Sequence, residues 1–318
     1  MSKEYTWRPS ADIEVIKLRA KLYADIRQFM QARNILEVDT PILSRYGISD
    51  TFIEQVRANS FLTDLPTLYL HTSPEYCMKR LIAAGIGDCF QISHVFRDGE
   101  QGKQHTLEFM MLEWYRLGFD YLQLMEEVST LVEYIGVSKP EKITYQAIFE
   151  LALDVDPMSV ETNILKELAQ QCGWIKATDE RHELLDYLFT HKVIDHIKNK
   201  NSLIVYDYPS CMASLSRINE NNPNVCERFE LFINGIEIAN GFTELNDANE
   251  QRQRFLDEFE QRQQQGKHSA PIDQLLLDAL ESGLPDCAGV ALGIDRLLMV
   301  MLNKMHINEV NHITLDNN

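Results

Sequence analysis

The apolar positions Val15, Leu18, Leu22, Ile26, Phe29 and Met30 recur at helical spacing, which predicts a helix from Val15 to Arg33. Asn34 interrupts that period, and ILEVDTPILS follows as a short strand with Pro41 inside it. Proline cannot donate in a ladder, so this strand belongs at a sheet edge or an interface. TLYLH (67–71) is a second strand, and Ser73-Pro74 opens a helix with Pro74 in its first turn, along which lie Glu75, Met78, Lys79 and Ile82. FQISHVFR (90–97) and EFMMLEWYR (108–116) alternate as strands around the polar loop DGEQGKQHTL. Asp120, with Gln123 three residues on, caps an amphipathic helix whose apolar face holds Tyr121, Leu124, Met125, Val128, Leu131, Val132 and Ile135. Residues 140–200 read as helical, with no cluster of chemistry. SLIVYDYP (202–209) is a buried strand, EQRQRFLDEFEQRQQQG (250–266) a polar, solvent-facing helix, and GVALG (289–293) a strand leading into the helix IDRLLMVMLNKM.

Between them, RFELFINGIEIANGFTELN (228–246) reads as a hairpin turning at Asn234-Gly235, the pair suited to a two-residue type I′ turn. That register pairs Ile233 with Ile236, Phe232 with Glu237 and Glu230 with Ala239. It sets Glu230 and Glu237 on one face, close enough to share a hard cation. Alone, the pair fits a solvated edge face equally well. Strands in series without regular βαβ alternation predict an α+β domain around an antiparallel sheet.

Composition narrows the function class. Forty-eight acids against 30 bases give a net charge of −18, which disfavours bulk electrostatic binding to nucleic acid. The six cysteines are scattered, without Cys-x-x-Cys spacing, and read as reduced residues of a cytoplasmic protein. No apolar run is long enough to span a bilayer, and the N-terminus lacks a signal core.

No phosphate-binding glycine loop, dinucleotide fingerprint or nucleophile elbow occurs. A nucleotide would instead be held by arginines and metal. Arg97 ends a strand, Arg296 follows Gly293 in the first turn of the last helix, and Glu230 with Glu237 offers the cation site. This set suits ATP. Met111, Glu113 and Tyr115 share one strand face, and with Glu75 and Glu244 they suit a substrate bearing two ammonium groups.

These segments resemble the signature motifs of class II aminoacyl-tRNA synthetases, most closely lysyl-tRNA synthetase. LEVDTPIL resembles motif 1, a dimer element; VFRDGEQGKQHTLEFMMLEWYR resembles motif 2; GVALGIDRLL resembles motif 3. SPE (73–75) and EIANGFTELND (237–247) resemble the lysine-pocket segments. The likeness implies one class II synthetase-type catalytic domain over 1–318, with a helical insertion at about 140–200 and no N-terminal OB-fold anticodon domain. A bare core of this kind resembles the elongation factor P–(R)-β-lysine ligase family. That resemblance implies ATP, Mg2+ and (R)-β-lysine as small-molecule partners and elongation factor P as acceptor. It also implies a homodimer formed near Pro41, with tRNA not the acceptor.

The resemblance further implies residue roles. Arg97 would hold the α-phosphate and Arg296 the terminal phosphates. Asp98, Gly99, Glu100, His105, Thr106, Glu237, Ile238 and Gly293 would line the nucleotide, and Glu230 and Glu237 would carry magnesium. Ser73, Pro74, Glu75, Glu113, Tyr115, Asn240, Phe242, Glu244 and Ala291 would surround the amino acid. Two departures stand in motif 2. The family's Arg-Asn-Glu is Arg97-Asp98-Gly99-Glu100 here, and its His-Asn-Pro-Glu-Phe is His105-Thr106-Leu107-Glu108-Phe109. Competing readings are a lysyl-tRNA synthetase without its anticodon domain, a non-catalytic amino-acid-binding paralogue, and an asparagine-making amide synthetase. The last would need a basic pocket in place of this acidic one.

Overall fold

The computed structural model describes residues 7–61, 67–176, 180–198 and 200–314. The chain begins with α1 (Ile13–Gln31), β1 (Leu36–Glu37), β2 (Leu43–Ser44), β3 (Arg57–Asn59), β4 (Thr67–Leu70), α2 (Glu75–Ala83), β5 (Cys89–Phe96) and β6 (Glu108–Leu117). Next come α3 (Tyr121–Tyr134), β7 (Glu141–Thr144), α4 (Tyr145–Leu153), α5 (Thr162–Gln171), α6 (Arg181–Leu188) and α7 (Ile194–Ile197). β8 (Ser202–Pro209), β9 (Val225–Ile233), β10 (Ile236–Thr243), α8 (Ala248–Gln264), α9 (Gln274–Gly283), β11 (Cys287–Gly293) and α10 (Ile294–Met301) complete it. The chain divides into two compact units, one of residues 1–118, 246–286 and 291–318, the other of 119–245 and 287–290.

In the first unit β5 pairs antiparallel with β6 and parallel with β1, while β2, β4 and β3 form a small antiparallel sheet. The expected strand through Pro41 is reduced to β1 and β2, two residues each, on either side of the proline. The ladder beside β5 ends where Val38 N donates to Phe90 O, three residues before Pro41. α10 is fixed by Asp295, which accepts from Met110 N at 2.7 Å and pairs with Arg19. Burial opposes the Arg19 charge, but Asp295 and Tyr23 hold its pKa above the ordinary arginine value.

α8 departs from the expectation of a solvent-facing helix. It buries Gln251, Phe255 and Arg262. Arg262 is tolerated inside because its guanidinium donates to the carbonyls of Asp50, Ile53 and His268 and to Glu54. One turn earlier Glu258 hydrogen-bonds Ser49. Burial pushes the Glu258 carboxyl up to about 7, with Asp50 adding to the rise while Ser49 and Arg254 oppose it. A carboxyl raised on folding makes the native state hold a proton that the unfolded chain has released. Stability from this group is therefore full below the ordinary carboxyl range, declines as pH rises toward 7, and levels off above. Glu258→Gln should be stabilised relative to the wild type by on the order of 2 kcal/mol at pH 8 and hardly at pH 5. Urea denaturation at both pH values checks this, and an equal difference at both would contradict it.

In the second unit the sheet order is β10-β9-β8-β7, with β7 parallel to β8 and the other pairs antiparallel. The stretch expected to be helical thus opens with a strand; Ile143 and Thr144 extend the ladder beside buried Val205 and half-buried Tyr206 before Thr144 caps α4. Helices α4 to α6 cover this end with an aromatic core in which Tyr145 lies 5.1 Å from Phe189 and 4.9 Å from Tyr208, centroid to centroid. The expected capping box of α3 is present: Asp120 accepts from Gln123 N at 2.8 Å, and Gln123 Oε1 accepts from Asp120 N at 3.0 Å. All six cysteines are free, and among the described residues no helix is long and apolar enough to cross a membrane.

Candidate active site

The first unit carries the motif 2 and motif 3 residues. Arg97 follows β5, and its backbone N–H donates to Leu107 O at 2.9 Å, closing the base of the loop between β5 and β6. Its guanidinium lies over the Phe109 ring at 5.3 Å and 3.8 Å from Glu100. Its Nε is buried and meets no acceptor among the described residues. A buried donor left unmatched costs about 1–3 kcal/mol, so this group is built to meet an anionic oxygen. Arg296, half-buried on α10, donates through Nε to Gln104 O at 3.2 Å and so braces the same loop. Gly102 N donates to His105 O at 3.1 Å, leaving the His105 side chain exposed and Thr106 half-buried. Gly293 is the N-cap of α10, and Ala291 is half-buried two residues before it.

Asp98 and Gly99 turn elsewhere. Asp98 N donates to Glu54 O at 2.8 Å, and Asp98 Oδ1 accepts from Gly99 N at 2.9 Å. Both line a cavity of ≈ 240 Å³ with Glu54, Arg57, Arg262 and His268, and neither Arg97 nor Arg296 is part of that lining. Gly99 has φ +76°, a conformation that favours glycine, which accounts for its presence where the family pattern has an acid.

The amine-binding candidates of this unit form two stations. On β6 Glu113 and Tyr115 are each 2% exposed, and the Tyr115 hydroxyl donates to Glu113 Oε1 at 2.7 Å. Gln91 faces Glu113 across the ladder and accepts from Thr40 at 2.9 Å. The negative charge here also acts on Cys89, whose thiol is pushed up to about 12, first by burial and then by Glu113 and Asp88. At the second station Ser73 Oγ accepts from Glu75 N at 3.3 Å just after Pro74, the N-cap of α2, and Glu75 is ion-paired with Lys79 at 2.6 Å.

The second unit carries the hairpin, and here the register differs from the expected one. Ile236 pairs with Ile233 and Glu237 with Phe232, but a bulge follows Glu237. Ala239 then pairs with Leu231, and Glu230 faces Asn240 instead of Ala239. The extra residue reverses the alternation. Glu237, Asn240 and Phe242 therefore share the face of Arg228, Glu230 and Phe232, while Ala239, Gly241 and Thr243 turn to the buried side. Gly241 suits that side, because a Cβ there would lie 2.6 Å from Phe229 and 2.8 Å from Val290. Ile238 is buried, so only its backbone is available to a ligand, and Glu244 is 1% exposed.

Glu230 sits in a network that alternation alone did not reveal. Tyr208 Oη donates to its Oε2 at 2.6 Å, and Arg228 donates to its Oε1 at 2.5 Å, to Asn240 Oδ1 at 3.2 Å and to Met212 O at 2.7 Å. Burial raises Glu230 to about 7; Arg228 opposes the rise and Glu237 adds to it. Asp186 of α6 stands within electrostatic reach of Arg228 and Glu237, and its carboxyl is raised chiefly by the surrounding protein. Two carboxylates that repel each other fit a divalent cation, since each engaged oxygen of Glu230 keeps a second lone pair. Arg228 and Tyr208 were missed from the sequence. The period-two relation of Arg228 to Glu230 was the signal that could have found the first.

Residues 5–314 match the family model for class II tRNA synthetases (D, K and N). The chain is similar to proteins named elongation factor P–(R)-β-lysine ligase. It is 43% identical to that of Avibacterium paragallinarum over 99% of both chains, and 43% identical to that of Pasteurella multocida over the whole of both. It is 45% identical to that of Haemophilus influenzae over 98% of both. With a buried arginine Nε that meets no acceptor among the described residues at the head of the β5–β6 loop and a buried acid–phenol pair on β6, the chain belongs to the class II tRNA synthetase family.

Proposed function

We propose that this chain activates (R)-β-lysine with ATP and transfers it to a lysine ε-amine of elongation factor P. The observation that carries the reading is the buried Nε of Arg97, which has no acceptor among the described residues at a position where the family holds a phosphate. Similarity over the full length to ligases of that name supports the acceptor. In the first step the amino-acid carboxylate attacks the α-phosphorus, the bond to the β-phosphate oxygen breaks, and pyrophosphate leaves. In the second an uncharged lysine amine attacks the adenylate carbonyl, AMP leaves and the amine gives up a proton. Neither step needs a protein nucleophile, so the chain's work is positioning and charge stabilisation.

Arg97 holds the α-phosphate oxygens as charge builds on them, and Arg296 meets the terminal phosphates. Glu100, His105, Thr106, Gly293 and the backbone of Ile238 contact the nucleotide, with Asp98 and Gly99 shaping the loop. Glu230 and Glu237 would hold magnesium, which when bound would supply neutralising charge to the phosphates. Glu113 and Tyr115, the deepest amine station, take the terminal ammonium, and Glu75 beside Ser73 takes the amine nearer the carboxylate. Asn240, Phe242, Glu244 and Ala291 complete the substrate contacts. Leu36, Ile42 and Leu43, exposed on both sides of Pro41, form the apolar surface for a homodimer in the cytoplasm.

The test combines purified protein, ATP and either (R)-β-lysine or lysine, with elongation factor P or tRNA as acceptor. The expected result is ATP–pyrophosphate exchange and a mass gain of one lysyl unit on elongation factor P, larger with (R)-β-lysine. Charging of tRNA alone, or no exchange with either amino acid, would overturn the proposal.

A further inference from the structure

Glu75 is not an open carboxylate. Lys79, one helical turn along α2, donates to its Oε1 at 2.6 Å; the Lys79 side chain is 2% exposed and that of Glu75 15%. A buried ammonium has to be matched by opposite charge, and the glutamate-before-lysine order at this spacing is the favourable one. The Glu75 backbone is fixed as well, through its N–H to Ser73 Oγ. One oxygen of the carboxylate is thus committed, while Oε2 accepts no hydrogen bond among the described residues.

We propose that Lys79 is a positioning residue for the amino-acid substrate. It locks the orientation of Glu75 so that Oε2, the unengaged oxygen, is turned to the amine nearer the substrate carboxylate. This rests on the assignment of Glu75 to that amine. A free carboxylate could rotate and meet an amine at either of two adjacent carbons with either oxygen. A carboxylate held at Oε1 keeps one orientation, with Oε2 as its unengaged oxygen, and an amine displaced by one carbon meets it in poorer geometry. Lys79 therefore determines which position of the amine is accepted, although it touches no substrate atom. Its ammonium also offsets the glutamate charge, so the station selects by alignment more than by attraction.

The measurement is kcat/KM in ATP–pyrophosphate exchange for (R)-β-lysine and for lysine, with KM for ATP as internal control. Lys79→Met, close in volume, should lower the ratio of the two kcat/KM values at least tenfold, within the range that steric and hydrogen-bond selection supplies. KM for ATP should stay within twofold. Lys79→Arg keeps the charge and the fold but presents a fork able to engage both carboxylate oxygens. It should lower kcat/KM for both amino acids at unchanged thermal stability, which keeps the test decisive if the methionine variant does not fold. An unchanged ratio in Lys79→Met, or wild-type kinetics in Lys79→Arg, would overturn the role of Lys79. Glu75→Gln separates this from the underlying assignment: if it lowers kcat/KM for both substrates while the Lys79 variants behave as wild type, only the positioning role fails. If Glu75→Gln itself has no effect, the amine station is wrongly assigned.

Discussion

Arg97→Ala should slow ATP–pyrophosphate exchange by about 10²–10³-fold, the loss typical of one preorganised donor to developing negative charge. The native fold should survive the change. Among the described residues the Arg97 guanidinium makes only a long 3.8 Å pair with Glu100 and a contact with the Phe109 ring, interactions worth roughly 1 kcal/mol or less at a partly exposed site. Arg97→Lys should recover little of the rate, because an ammonium cannot supply the buried Nε–H together with the outer donors. Exchange kinetics beside a thermal melt distinguish the cases. A fall in rate matched by a fall in melting temperature would mean that Arg97 is structural, and an unchanged rate would remove it from the phosphate site.

The second large effect is on stability. Arg228→Met should destabilise the chain by about 3–5 kcal/mol, the penalty for leaving one partner of a buried ion pair without its counter-charge. Glu230, 9% exposed, would keep only the Tyr208 hydroxyl, and Asn240 and the Met212 carbonyl would lose their donor. Adding Glu230→Gln should restore much of the loss, since a neutral amide can still accept from Tyr208. Urea denaturation of the two single variants and the double variant gives the coupling between them. A cost below about 1 kcal/mol for Arg228→Met would show that the pair is effectively solvated.

Much of this molecule is legible in its sequence where local rules dominate. The 3.6-residue period gave α1 and α3, the Asp120–Gln123 capping box gave the start of α3, and Asn234-Gly235 gave the turn of the hairpin. Glu113 and Tyr115 were found together because period-two alternation needs no knowledge of the partner strand. Legibility stops where the deciding partner is remote. Arg262 looks like one more charge on a polar helix until the carbonyls of Asp50 and Ile53 arrive beside it. Lys79 was visible on the helix of Glu75, but a burial of 2% depends on surrounding packing and not on spacing. The bulge after Glu237 carries no glycine or proline to announce it; buried Ile238 and Ala239 in succession are its trace.

That bulge gives β10 something like a reading frame. The residues before it and those after it are counted in opposite phase, and one inserted position keeps Glu237, Asn240 and Phe242 in step. Substitutions along the strand act one side chain at a time. Loss of Ile238 or Ala239 would leave a regular ladder in the same phase, whereas gain of a residue between Glu237 and Asn240 would shift the phase of everything downstream, turning Gly241 and Thr243 outward and burying Asn240 and Phe242. In this hairpin an added residue disrupts more than a lost one, because the bulge already holds one position beyond the regular count.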